Sequence, residues 1–264
     1  MESNSATRDG FVKTKGYGRI HYREAGYGNN RPALMLMHTN GGSAHQYETL
    51  AALLAKHFRV ISWDMPGHGD SDPITRHYSV EDHAKALAAL MTGLKIKAAH
   101  ISGASIGGSV TVAFASLFPA RTLSAVPVET PCRNFEEWGA SWSSVEGNFG
   151  LPMQTVAQIK ERVAVVDAAL EQRWNIDRCK AGAFAMVDVM WGIRQFNLLA
   201  AAKKIKKPMM FVYGKKGPTI ALSNRLTGAA PKAKLHVMEN SGHFPMLDEP
   251  SAFAALYIKF CGGK

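Results

Sequence analysis

A serine set between two glycines, Gly103-Ala104-Ser105-Ile106-Gly107, follows an apolar run at 98–102 and precedes a small-residue helical run at 107–118. This is the pattern of a nucleophile elbow, a strand-to-helix turn that lifts a serine hydroxyl clear of a sheet. The glycines two residues to either side let strand and helix approach without a Cβ clash. An alcohol is a weak nucleophile at neutral pH, so Ser105 needs a base. His243 is the candidate: it follows an expected last strand at 234–238, in a Gly-His loop that would hang over the sheet's carboxyl edge. Together the two residues suit acyl transfer, with the N–H of Ile106, next after the serine, donating to a developing oxyanion. Of the other histidines, His38 and His68 are read as shaping the pocket. His45, His57, His77, His83 and His236 are read as structural or exposed.

Such groups need a scaffold that delivers several strand ends to one edge. Residues 11–24 read as two short strands turning at Gly16 and Gly18. A continuous apolar run at 33–37 suits a strand buried on both faces. A helix at 44–57, a strand at 58–62 and a turn-rich segment at 64–72 follow, then a helix from a Ser79 cap to about Leu94. A strand at 123–128 comes after the elbow helix. Later strands at 208–213 and 234–238 alternate with helices at 220–229 and 249–260. This alternation predicts an α/β fold, with a mostly parallel central sheet and helices on both faces. Residues 131–200 differ in texture, holding Trp138, Trp142, Trp174 and Trp191 and no clear strand. They are expected to form an inserted helical cap on a core made of 1–130 and 201–264.

Composition bounds the partners. With 264 residues, 46% hydrophobic and 20% charged, the chain is of ordinary size and make-up for one α/β domain. No apolar run is long enough to span a membrane, and residues 1–10 are polar, so a cytoplasmic location is expected. Cys132, Cys179 and Cys261 lack metal or redox spacing and read as reduced thiols. The formal charge is +10, and 189–238 contains no Asp or Glu. Lys203, Lys204, Lys206, Lys207, Lys215, Lys216, Arg225, Lys232 and Lys234 all fall there. Without aromatic platforms or a binding module beside it, this charge reads as a solvated face that aids solubility or steers anions, and no nucleic acid is expected. No metal-ligand spacing, phosphate loop or dinucleotide fingerprint is present, so neither metal nor cofactor is expected. A monomer or homodimer is expected.

The ordered set of a strand ending in His38, the Asp64-Met65-Pro66-Gly67-His68-Gly69 loop, the elbow, a cap and Ser241-Gly242-His243-Phe244-Pro245 resembles the α/β-hydrolase family over nearly the whole chain. Members of that family commonly carry an Asp after the strand that follows the cap, in a Gly-x-x-Asp context. Here that segment is Gly214-Lys215-Lys216-Gly217-Pro218, with glycine at the expected acid. Asp248 and Glu249, beyond His243, suit a solvated first turn of the last helix. The imidazolium still calls for a carboxylate. Glu129, at the end of the strand after the elbow helix, is expected to supply it from the neighbouring strand, as haloalkane dehalogenases and zearalenone lactonases do. The resemblance implies a second oxyanion donor two residues past the strand-end histidine. That is Asn40 of His38-Thr39-Asn40-Gly41-Gly42, with Gly41 as the alternative.

Ser105, in place of an aspartate nucleophile, argues against a dehalogenase. The acid position, Gly217-Pro218 and His243-Phe244-Pro245 are similar to the zearalenone lactonases, and Trp191 stands where that group keeps a cap tryptophan facing its substrate. His38-Thr39-Asn40-Gly41 and Gly67-His68-Gly69 look more like general esterases. The implied activity is a cofactor-independent serine hydrolase with a Ser-His-Glu triad, acting through an acyl-enzyme on a hydrophobic ester or lactone. Trp191, Met190, Gly41 and Phe244 are the expected substrate contacts. Two other readings use the same residues. One is a C–C bond hydrolase or cofactor-free oxygenase, which would favour a 1,3-diketone or a heteroaromatic compound over simple esters. The other is a hydrolase-derived small-molecule receptor, whose cap would bind ligand and a partner protein.

Overall fold

A computed structural model describes residues 7–28 and 30–262; the start of the polar segment at 1–10 lies partly outside the described residues. The strands are β1 (Arg8–Thr14), β2 (Gly18–Ala25), β3 (Ala33–Met37), β4 (Arg59–Trp63), β5 (Ala99–Ala104), β6 (Thr122–Val128), β7 (Met210–Gly214) and β8 (Lys234–Met238). They form one sheet in the order β1-β2-β4-β3-β5-β6-β7-β8. β2 runs antiparallel to both β1 and β4, and the pairs from β4 to β8 are parallel. The parallel strands therefore deliver their carboxyl ends to one edge, where α/β folds place their ligands.

The helices of the core are α1 (Glu48–Leu54), α2 (Val80–Gly93) and α3 (Ile106–Leu117). The cap follows with α4 (Phe135–Ala140), α5 (Trp142–Phe149), α6 (Val156–Lys160) and α7 (Ala168–Gln195). Then come α8 (Leu198–Lys204), α9 (Ser223–Ala229), α10 (Pro245–Asp248) and α11 (Pro250–Cys261). β3 shows why both faces are covered. Met35 and Met37 pack with residues of α2 and α3, whereas Leu34 and Leu36 pack with α1 and α11, the period of two expected of a strand buried on both sides. The helix expected at 44–57 is split: a short 3₁₀ turn capped by the Ser43 hydroxyl precedes α1, which stops at Leu54. Ser79 caps α2 in a reciprocal box with Asp82, as its position suggested.

Among the described residues, 131–200 carries helices and no strand. α8 straddles the expected end of the cap and packs with the core, its Leu198, Ala201 and Ala202 buried beside Val112 of α3 and Phe211 of β7. α7 is broken at Gly182, whose φ of 69° and ψ of 166° separate a half that lies on the loop after β3 from a half that runs over α2 and α3. No described helix is long and apolar enough to cross a membrane. The three cysteines are free.

Six histidines are buried among the described residues: His21, His243 and a group of four, His38, His68, His83 and His100. Burial lowers all four pKa values, taking His83 and His100 to about 4 from an ordinary value of 6.5. Neither ring nitrogen of His83 has a hydrogen-bond partner. A neutral buried imidazole binds fewer protons than the same residue unfolded, so its full stability is present above pH 6.5 and is lost as pH falls from there towards 4. Each of these two groups would contribute up to about 3 kcal/mol to that loss. The melting temperature is expected to fall steeply across this window, and His83→Phe to flatten the fall. A wild-type melting curve that does not move with pH would refute the assignment.

Candidate active site

Two neighbouring strands end in a residue forced into left-handed backbone. Ser105, directly after β5, has φ 57° and ψ −113°, and Glu129, directly after β6, has φ 46°. Outside glycine such values are uncommon, strained and concentrated at functional sites. Each residue is held there by the sheet itself: Ser105 N–H donates to Val128 O at 2.8 Å, and Glu129 N–H donates to Val212 O at 2.8 Å. The chain thus leaves each strand abruptly while its last N–H stays in the ladder. The elbow is tight because Gly103 and Gly107 face each other. A Cβ on Gly103 would lie 2.5 Å from Gly107 O, and one on Gly107 would lie 2.5 Å from Met37 O.

Ser105 and His243 line one cavity of about 360 Å³ between the sheet edge and the cap. The Ser105 hydroxyl has no hydrogen-bond partner among the described residues. The His243 loop is fastened on several sides. Its own N–H donates to Arg162 O of the cap at 3.1 Å, and Gly242 N–H donates to Asp248 Oδ2 at 2.8 Å. Ser241 Oγ donates to Glu249 Oε2 at 2.6 Å, a bond that lowers the Glu249 pKa. Asp248 also accepts from Ala164 N–H at 2.8 Å, tying the cap to the same turn. The solvated first turn expected for Asp248 and Glu249 is therefore corrected: both carboxylates brace the histidine loop.

His243 Nδ1 lies 3.0 Å from Glu129 Oε2. The Glu129 carboxylate is wholly buried and fully engaged, accepting from Gly214 N–H at 2.7 Å and from the Thr219 hydroxyl at 2.6 Å. A carboxylate only accepts, so it holds the imidazole with the proton on Nδ1 and the lone pair on Nε2. The glycine at the expected acid has a structural reason. A Cβ on Gly217 would lie 2.3 Å from Glu129 Oε1, so the carboxylate occupies the room a side chain there would need.

At the other side of the elbow, the loop after β3 is clamped by side chains. His38 Nδ1 donates to Thr39 O at 2.7 Å, and its Nε2 accepts from Met65 N–H at 3.0 Å. The Asn40 side chain spans core and cap: Nδ2 donates to Met186 O of α7 at 2.9 Å, and Oδ1 lies 3.3 Å from His68 Nε2. Burial, with the neighbouring His38 and His83, keeps His68 neutral, its pKa well below the ordinary value. The backbone N–H groups of Asn40 and Ile106 have no acceptor among the described residues. That of Ile106 also begins α3, where the helix dipole favours negative charge.

The expected substrate contacts divide. Met190 lines the cavity together with Trp138, Val145, Phe149 and Leu222. Trp191 does not: one residue further round α7, it meets Trp142 in a tilted ring contact at 4.4 Å between centroids and is 38% exposed. Phe244 is buried in the core against Trp174, and Gly41 lies beneath Met186 and Arg178. Sequence reasoning missed Thr219, which donates to the buried carboxylate, and the polar lining formed by Arg133 and Arg162. No local motif marks these residues.

The sequence model of the alpha/beta hydrolase family matches residues 34–256. An uncharacterised protein of Mycobacterium tuberculosis is 27% identical, over 95% of this chain and 80% of its own. A 2-hydroxy-6-oxononadienedioate/2-hydroxy-6-oxononatrienedioate hydrolase of Paraburkholderia phymatum is 26% identical, over 92% of this chain and 91% of its own. Among solved structures, the enol-lactonase from Burkholderia xenovorans LB400 superposes with a TM-score of 0.81 at 23% identity, covering 96% of this chain and all of that one. At that identity the likeness concerns the fold.

Proposed function

Since the chain belongs to the alpha/beta hydrolase family, we propose that it is a serine hydrolase that cleaves an ester or lactone of a small, partly apolar molecule through an acyl-enzyme. One observation carries this reading: Ser105 and His243 open on one cavity, and the far nitrogen of His243 rests on a buried carboxylate. His243 Nε2 takes the Ser105 hydroxyl proton as Oγ attacks the carbonyl carbon. The oxyanion that forms is held by the N–H groups of Ile106 and Asn40. His243 then returns the proton to the leaving alcohol oxygen, and a water activated by the same nitrogen releases the acid. Glu129 fixes the tautomer and offsets the charge that the ring acquires.

The acid directly after β6 and the Gly217 it requires support the likeness to the zearalenone lactonases, so lactones belong in the test beside open-chain esters. Incubation with a fluorophosphonate is expected to stop turnover and to add one label, on the peptide containing Ser105. Labelling elsewhere, or none with activity intact, would overturn the reading. A second reading, C–C bond hydrolysis, is favoured by the named activity of the Paraburkholderia relative. It predicts that a vinylogous 1,5-diketone is turned over far faster than any ester of the panel.

Asn40 gives a separate prediction. Asn40→Ala keeps the backbone N–H but removes the bonds to Met186 O and His68. Removing an oxyanion donor outright costs about 10²–10³ in kcat. Loosening one is expected to lower kcat by roughly 10- to 100-fold, with KM little changed. Wild-type kcat in this variant would remove Asn40 from the oxyanion site.

A further inference from the structure

Arg162 stands out among the arginines of the chain. It directly follows α6 by two residues, and its carbonyl accepts the N–H of His243, so its backbone is locked to the catalytic loop. Arg162 lines the same cavity as Ser105 and His243, and its guanidinium lies 5.8 Å from the ring of Phe149, another lining residue. The guanidinium is partly buried, which lowers its pKa, yet it makes no hydrogen bond or ion pair among the described residues. Several other arginines are engaged: Arg178 donates to Asn148 O and Leu151 O, Arg225 pairs with Glu137, and Arg8 and Arg59 share Glu24. Arg194, which also makes no hydrogen bond or ion pair among the described residues, lies over the rings of Phe135, Trp142 and Trp191 outside the Ser105 cavity. A partly desolvated cation without a partner is unfavourable unless something else neutralises it.

The described surroundings supply only a partial neutraliser. Arg162 faces the Phe149 ring at 5.8 Å, and Arg178 lies 5.9 Å from the same ring, so two guanidinium groups flank one aromatic. Arg133 adds a third cation at the cavity wall, bonded to Ser141 Oγ at 2.9 Å. Glu161 is the one carboxylate at the mouth. It is exposed, and it attracts the Arg162 guanidinium through space without closing to a direct ion pair, so it offsets the desolvation of that cation only in part. The buried Glu129 is already committed to three donors. Against this charge the wall mixes apolar residues, Trp138, Val145, Met190 and Leu222, with the polar Ser144, Asn148 and Thr219.

Resting on the hydrolase reading above, we infer that the substrate carries a carboxylate, seated on Arg162, at the end of a short apolar chain whose other end presents the scissile carbonyl to Ser105. A planar guanidinium binds a carboxylate by two parallel hydrogen bonds and is weakly hydrated, which suits it to a half-dry site. The cavity volume of about 360 Å³ fits a small acid ester or an acid-bearing lactone. The net charge of +10 would draw such an anion towards the protein.

The test compares two esters of equal length, phenyl hydrogen glutarate and phenyl pentanoate, with the full chain. Wild type is expected to favour the acid ester in kcat/KM by at least about 10-fold, and Arg162→Gln to remove most of that preference, chiefly through KM. Arg162→Lys is expected to restore part of it. No preference in wild type, or an equal loss on both esters in Arg162→Gln, overturns the inference. A wild-type measurement stands apart from the stability of any variant: glutarate is expected to compete with phenyl pentanoate, whereas glutaramide is not, and equal inhibition by the two also overturns it. If phenyl pentanoate is hydrolysed in a Ser105-dependent way without a preference for the acid ester, the inference alone falls. If wild type hydrolyses neither ester nor any lactone of the panel, the hydrolase reading falls and takes the inference with it.

Discussion

Ser105→Ala is expected to lower kcat by a factor on the order of 10⁶ and to leave the melting temperature nearly unchanged. The two halves of this expectation have separate causes. Without Oγ no acyl-enzyme forms, and what survives comes from the oxyanion donors and substrate binding alone. Stability is spared because the left-handed backbone at φ 57° strains alanine as it strains serine, and because the hydroxyl has no hydrogen-bond partner among the described residues to lose. Single-turnover assays with a chromogenic ester, beside a thermal melt, test both halves. Turnover above about one per cent of wild type would mean that another group attacks.

Glu129→Gln is expected to cost 10³–10⁴ in kcat, as for other triad acids turned into amides. The amide fits the same space but reverses the polarity of one end. Its oxygen can still accept from Gly214 N–H, which leaves its NH₂ facing the Thr219 hydroxyl and His243 Nδ1. The imidazole then places its proton on Nε2, towards the serine, where it can no longer accept one. Gly217→Ala approaches the same carboxylate from outside. The new Cβ would lie 2.3 Å from Oε1, and the displacement is expected to lower kcat roughly 10- to 100-fold. Full activity in Glu129→Gln would remove it from the triad, with the fold untouched.

What was readable in the sequence follows from how local the cause is. The elbow was legible because its demands, a strand before, a helix after and glycines at the point of contact, fall within a few adjacent residues. His243 and Glu129 were legible because parallel strands end on one edge, so a strand-end residue has a known address even when its neighbours in space are distant in sequence. The cap was not. On a helix, adjacent residues point about 100° apart. Met190 therefore reaches the cavity while Trp191 turns outward onto Trp142, and no pattern in the segment fixes which of the two faces inward. Phe244 illustrates the same limit in a loop: its neighbour His243 enters the site and it enters the core. The engagement of Asp248 and Glu249 was missed because a carboxylate in a first helical turn satisfies local rules either way, and only the fold brings Ser241, Gly242 and Ala164 to it.

The crowding between Glu129 and position 217 also constrains ancestry. A carboxylate arriving at 217 while Glu129 remains would force two like charges into a volume that holds one. Losing Glu129 first would leave the histidine without its counter-ion. A single-step route between the two layouts is therefore expected to pass through an impaired intermediate, since a Cβ at 217 would lie only 2.3 Å from Glu129 Oε1. Lineages carrying this arrangement are expected to vary freely at the neighbouring Lys215 and Lys216 while positions 129 and 217 change together or not at all.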